Sequence, residues 1–300
     1  MAEESSPATT GGYWFVLGGA MLWGTTGTAQ AFAPAGYDPL VIGTLRLLVG
    51  GLALLCLALW RRELGRLQAC KPSRYLWAAA LTAGYQLCFF AAVAKTGVAI
   101  GTVVGIGSAP IAGGLLGFLF GGETLRRRWY LATLLAITGC VLLGLTGGEV
   151  RADLFGIVLA IGAGAFYAAF ALVLKDLLQG QPLLGVTALV FCLGALLLSP
   201  LLLRTDSAWL LQPRSLVVAL HLGVAATACA YILFSRGLRT VPVSAATTLS
   251  LAEPMTAACL GILVLGEQLN LPAFAGIALI FSGLVVLVWN GGRRYRGAPP

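Results

Sequence analysis

The chain has 300 residues, of which 59% are hydrophobic and 10% charged, with a mean hydropathy of +0.92. A soluble globular protein carries roughly a quarter charged residues, so water is excluded as the solvent for most of this surface. The net charge of +8 does not point to nucleic acid, because the basic residues sit in short clusters between apolar runs, the pattern that orients a membrane protein.

Residues 1–12 are polar, slightly acidic and free of Lys and Arg, which reads as a cytoplasmic tail and not a signal peptide. Apolar runs long enough for a bilayer core, which needs about 20 residues per helix, then follow without a soluble interlude. The first, 13–33, carries Trp23, Thr25, Thr26 and Gln30; the second, 39–60, holds Arg46. The third, 74–95, contains Tyr85, Gln86 and Phe89, and the fourth, 98–121, contains Thr102, Ser108 and Pro110, with Glu123 just beyond it. After 128–146 comes the sixth run, 154–175, with Phe166 and Tyr167, then 182–203 and the eighth, 214–236, with His221 and Tyr231. The ninth, 243–265, carries Thr247, Thr248, Ser250, Glu253 and Pro254, with Glu267 after it; the tenth is 272–290, and 291–300 is a basic tail. The fold class predicted is an all-α integral membrane protein of ten transmembrane helices. Gly and Pro inside the runs are normal where small residues let helices approach in lipid.

Seven cysteines (Cys56, Cys70, Cys88, Cys140, Cys192, Cys229, Cys259) are scattered, six within apolar runs. Their odd number and wide spacing suit neither a metal site nor a disulfide framework, and no metal or cofactor is expected.

Fourteen Lys and Arg residues fall in alternate connections and the C-terminal tail, against Lys95, Arg151, Arg204 and Arg214 on the other side. The excess predicts both termini in the cytoplasm, the membrane expected being a bacterial-type inner membrane. An internal repeat with one constant offset aligns Gly12 with Gly156, Trp23 with Tyr167, Lys95-Thr96 with Arg239-Thr240, Pro110 with Pro254, Gly122-Glu123 with Gly266-Glu267 and Gly139 with Gly283. Between 110 and 143, eleven of 34 positions are identical to their counterparts, where composition would give roughly a tenth. The predicted units are therefore 13–147 and 152–290. Five helices per unit is odd, so the second enters the membrane inverted. Arg126, Arg127 and Arg128 accordingly face Asn270, Leu271 and Pro272 in the alignment, the charge being lost on the far side. Inverted halves support alternating access to a site near the midplane.

A charged group inside a span costs at least about 2.5–3.5 kcal/mol on insertion scales, which singles out Arg46 and Glu253. Glu253 has three readings: carrier of a coupling proton, receptor of a substrate ammonium, or member of a structural pair. Its repeat counterpart is Ala109, so it acts alone. Arg46 reads first as a carbonyl-bonding structural residue and second as a carboxylate clamp. Glu123 and Glu267 are candidates for gating or helix-end roles, Pro110 and Pro254 for helix breaks, and His221 for interhelical packing ahead of proton relay.

"MLWGTTG" in the first run, the early Arg of "GTLRLLVGG" in the second, and the paired "AP…GGET" and "EP…LGEQL" blocks resemble the EamA-type drug/metabolite transporter superfamily along essentially the whole chain. Overall likeness is to the YddG-type exporters of amino acids, aromatic ones included. That resemblance implies a basket of helices whose cavity is lined by the first, third, fourth, sixth, eighth and ninth. On this chain the substrate-binding candidates are then Trp23, Gln30, Tyr85, Gln86, Thr102, Ser108, Tyr167, Tyr231, Thr248 and Ser250. Rings would stack on an amino-acid side chain while donors and acceptors hold its ends. The alternative is an exporter of another small metabolite or an organic-cation drug. An intramembrane enzyme is disfavoured by one His and no HExxH or paired Asp, and ATP drive by the lack of GxxxxGK[ST]. The partners expected are amino acids, the lipid bilayer and protons, with no nucleic acid and a monomeric chain.

Overall fold

The computed structural model describes residues 10–34, 38–67, 71–144, 153–203, 212–268 and 270–289. Residues 1–9, the whole tail 291–300, Cys70, Arg151 and Arg204 lie outside the described residues. Every described element is helical. In chain order they are α1 (Thr10–Ala31), α2 (Pro39–Trp60), α3 (Pro72–Thr96), α4 (Val98–Phe120), α5 (Arg127–Gly144), α6 (Leu154–Leu177), α7 (Leu183–Leu198), α8 (Pro213–Leu238), α9 (Val243–Leu265) and α10 (Leu271–Trp289). By length and composition, eight are able to cross a membrane: α2, α3, α4 and α6 to α10. The two others are formed but fall outside that set, against the ten spans expected from the sequence. Helix α5 has 18 residues and opens on Arg127-Arg128, while α1 is diluted by Gly, Thr and Gln.

Local chemistry explains where several helices begin. Asp38 accepts from the Leu40 amide at 2.8 Å ahead of Pro39, and Asp153 accepts from the Gly156 amide at 2.8 Å. Each satisfies a donor that the first turn of a helix leaves without an intrahelical acceptor. Between helices, small residues set the spacing. A Cβ placed at Gly139 on α5 would stand 2.5 Å from the Gly276 carbonyl on α10, and one at Gly283 would stand 2.6 Å from the Ala132 carbonyl. Gly139 and Gly283 are repeat counterparts, as are Ala132 and Gly276, so this crossing is made reciprocally. The same holds for Gly12 against Thr240 and Gly156 against Thr96. Large apolar side chains such as Trp60, Phe120, Leu263 and Leu271 are left exposed, as lipid-facing surfaces require.

Contacts also sort the connections into two ends. Arg74 bonds Asp176 at 2.9 Å, Glu63 accepts from the Leu184 amide at 2.8 Å, Lys175 donates to the Val241 carbonyl at 2.6 Å and Arg239 donates to the Gln181 carbonyl. These join the 2–3, 6–7 and 8–9 connections at one end, which is the Lys- and Arg-rich one. Lys95 and Asp153 meet at 4.0 Å at the other.

Two helices are irregular where the sequence is rich in small or breaking residues. Helix α8 widens into a π-helical stretch over His221–Cys229, within which the Thr227 side-chain hydroxyl donates to the Leu222 carbonyl at 2.8 Å. Helix α9 breaks at Ser250-Leu251. Pro254 cannot donate to the Ser250 carbonyl four residues earlier, and the Glu253 amide takes that acceptor instead at 2.9 Å. Its counterpart Pro110 is accommodated inside a continuous α4.

Candidate substrate site

The interruption in α9 opens onto a cavity between the two repeats. Its walls are Trp23 of α1, Arg46 of α2, Tyr85 of α3, Gly105, Ile106 and Ala109 of α4, Tyr167 of α6, Tyr231 of α8, and Ser250 and Glu253 of α9. Helix rotation brings these together because each lies on the face its helix turns away from lipid: Trp23, Tyr167 and Tyr231 are all under a tenth exposed.

Four aromatic rings form a connected wall. Trp23 meets Tyr167 edge-on at 6.1 Å and Tyr231 at 4.9 Å, and Tyr85 stands 5.9 Å from Tyr167. Such contacts hold ring orientations by about 0.5–1.5 kcal/mol each beyond area burial. Tyr167 and Ser250 lie 2.6 Å apart, and because the Ser250 hydroxyl donates to the Ala246 carbonyl at 3.0 Å, Tyr167 is the donor between them. That bond ties α6 to the broken turn of α9. Replacing Tyr167 by Phe is expected to lower stability by about 1 kcal/mol and to slow transport more than it weakens solute binding, because it frees the turn without removing a wall; thermal unfolding and the split between half-saturation and maximal flux check this.

One basic and one acidic side chain face the same space. Arg46 enters from the first repeat and Glu253 from the second, and no ion pair joins them among the described residues. The Arg46 Nε and the Trp23 indole N–H have no hydrogen-bond partner among the described residues. The repeat counterparts of Arg46 and Glu253 are apolar, Val190 and Ala109. The frame is duplicated while its charges are not.

Five of the expected binding residues, Trp23, Tyr85, Tyr167, Tyr231 and Ser250, meet here. The other five do not line the cavity. Gln86 donates to the Gly43 carbonyl at 3.1 Å and so links α3 to α2. Ser108 bonds the Gly105 carbonyl within its own helix, facing Gly164. Thr248 accepts from Thr133 at 3.0 Å, its own hydroxyl being given to Ser244. Gln30 and Thr102 are partly buried elsewhere on α1 and α4. His221 lies 2.8 Å from Thr25, whose hydroxyl donates to Leu22, so His221 is the donor to Thr25 and links α8 to α1. Gly105 and Ile106 also line the cavity; they contribute only space and backbone, so polarity in the sequence does not mark them.

The sequence matches the EamA-like transporter family model twice, over residues 10–145 and 154–289. The chain belongs to the EamA-like transporter family. The two matched stretches cover both repeats and share the offset between them. Among relatives of this transporter, the uncharacterized transporter YwfM of Bacillus subtilis (strain 168) is 47% identical over 91% of this chain and 92% of its own length. An uncharacterized transporter of Archaeoglobus fulgidus is 31% identical over 88% and 92%, and the uncharacterized inner membrane transporter YicL of Salmonella typhimurium is 26% identical over 94% and 97%. A solved protein crystal structure superposes with a TM-score of 0.82 at 19% identity, covering 96% of this chain and all of that one, a likeness of fold. As a multi-pass EamA-like transporter, the protein moves a small molecule across a lipid bilayer.

Proposed function

We propose that this transporter exports amino acids, aromatic and other neutral ones, from the cytoplasm across a bacterial inner membrane by alternating access of the central cavity. The observation that carries the reading is the placement of one guanidinium and one carboxyl, not in salt-bridge contact with each other, in a single aromatic-walled cavity. A zwitterion offers the complement: its carboxylate to Arg46, its ammonium to Glu253, its side chain to Trp23 and the tyrosines. Rigid inverted halves are supported by the constant offset, the reversed charges at 126–128 and 270–272, and the reciprocal glycine crossings. On this reading ten helices cross, both termini lie in the cytoplasm, the working unit is a monomer, and Glu253 is the group through which protons would couple.

An organic cation is the second reading, favoured by Glu253 but leaving Arg46 without a task. Purified protein in proteoliposomes separates the two. Counterflow of labelled phenylalanine, threonine or methionine is expected. Robust flux of an organic cation with none of the amino acids would overturn the assignment.

A further inference from the structure

The helix-ending motif that the repeats share is built twice but engaged once. In α4 the chain ends through Gly122 at φ +62° and the Glu123 amide returns to the Gly117 carbonyl at 2.9 Å; in α9 it ends through Gly266 at φ +69° and the Glu267 amide returns to the Gly261 carbonyl at 3.0 Å. Each carboxylate then folds over its own helix at the equivalent glycine, where a Cβ would stand 2.5 Å from Glu123 Oε2 and 2.3 Å from Glu267 Oε2. A carboxylate at a helix C-terminus opposes the helix dipole, so neither is placed there to stabilise its own helix.

Glu123 has that partner. Its carboxylate accepts from the Val243 amide, from the Ser244 amide at 3.0 Å and from the Ser244 hydroxyl at 2.6 Å, with Lys175 at 4.0 Å. It thereby caps the first turn of α9, whose own N-cap, Pro242, has no side-chain acceptor. Trp129 adds a bond from its indole N–H to the Ser244 carbonyl at 2.9 Å. Every residue from Val243 to Leu249 is buried.

Glu267 is exposed, and among the described residues its carboxylate has no hydrogen-bond donor. The residues corresponding to Val243 and Ser244 are Ala99 and Ile100, in the first turn of α4, whose N-cap, Gly97, likewise offers no side-chain acceptor. This half of α4 is more open: Thr102, Val103 and Val104 are partly exposed, whereas Ala246, Thr247 and Thr248 are not.

We infer that Glu123 and Glu267 are a pair of alternating latches: Glu123 holds the Lys- and Arg-rich end shut by capping α9, and in the opposite conformation it lets go while Glu267 closes the far end by capping α4 at Ala99 and Ile100. This rests on alternating access but not on the identity of the solute.

Single-cysteine probes at Thr247 and at its counterpart Val103, in full-length protein in membrane vesicles, read the two ends without any transport. An impermeant maleimide is supplied on both sides and labelling is located by mass spectrometry. With Glu123 intact, the Val103→Cys thiol should react and the Thr247→Cys thiol should not. Glu123→Gln, which removes the charge from three hydrogen bonds, should speed Thr247→Cys labelling about tenfold or more and slow Val103→Cys labelling. Ser244→Ala, a milder change that spares the amides, should shift both probes the same way by less. Glu267→Gln added to Glu123→Gln should restore reactivity at Val103→Cys, because the far latch can no longer close. If Glu123→Gln and Ser244→Ala leave Thr247→Cys protected, or if Glu267→Gln does not act oppositely to Glu123→Gln, the exchange is wrong. Failure of amino-acid counterflow with these shifts intact would count against the solute and leave the latches standing.

Discussion

Replacing Arg46 by Gln is expected to weaken phenylalanine by roughly 10- to 100-fold in half-saturation, the scale of a charge-assisted hydrogen bond worth about 1.5–3 kcal/mol. Phenethylamine, which has the ring and ammonium but no carboxylate, should be handled equally by the variant and the parent. Glu253→Gln should invert the pattern, penalising phenylalanine and sparing phenylpropionate, and should abolish any dependence on a pH gradient, because its amide cannot carry a proton. Arg46→Lys should fall between, since an ammonium retains charge but not the guanidinium fork. Counterflow with the three solutes measures the selectivities, and uptake with and without an imposed pH step measures the proton dependence. Equal loss of every solute in Arg46→Gln would show a structural arginine and remove the main support for a zwitterionic cargo; a pH-gradient response that survives Glu253→Gln would make that residue structural.

The largest stability effect is expected at the crossing of α5 and α10. A valine at Gly139 puts its Cβ 2.5 Å from the Gly276 carbonyl and 2.8 Å from the Ile280 amide nitrogen. Neither is a flexible side-chain tip that can swing aside, so the helices must part and lose the contacts around Ala132 and Ala136. Overpacking typically costs about 1–3 kcal/mol, and backbone obstruction belongs at or above the upper end. Because Gly283 meets the Ala132 carbonyl in the mirrored position, Gly283→Val should match it. Gly11, with nothing within 4 Å, is the control. Unfolding temperature and monodispersity in detergent decide: a large drop at one glycine with tolerance at the other would contradict the reciprocal crossing.

Apolar length and the internal repeat make much of this fold legible in the sequence. The spans 74–95 and 243–265 predicted α3 and α9 closely because apolar length is a strong signal in lipid, and Pro254 marked the break that shapes the site. Trp23 and Tyr167 were paired by the repeat and do touch. Rotation about each helix axis was not readable. Gln86, Ser108 and Thr248 looked like lining on polarity alone, but hydroxyls and amides in lipid are readily satisfied by a carbonyl one turn back or a neighbouring helix. Arg46 was recognisable as costly, yet a lone charge in a run does not say which way it points. Nor could Glu123 and Glu267 be told apart, because their local sequences specify the same turn and only the packing of distant helices decides which one is engaged.

On the proposed reading, a guanidinium and a carboxyl from opposite halves and an aromatic wall give the cavity three different anchors around one α-carbon. Such an arrangement has a hand. A substrate held at its acid, its amine and its side chain presents its α-hydrogen in a fixed direction, and its mirror image would have to give up one of the three.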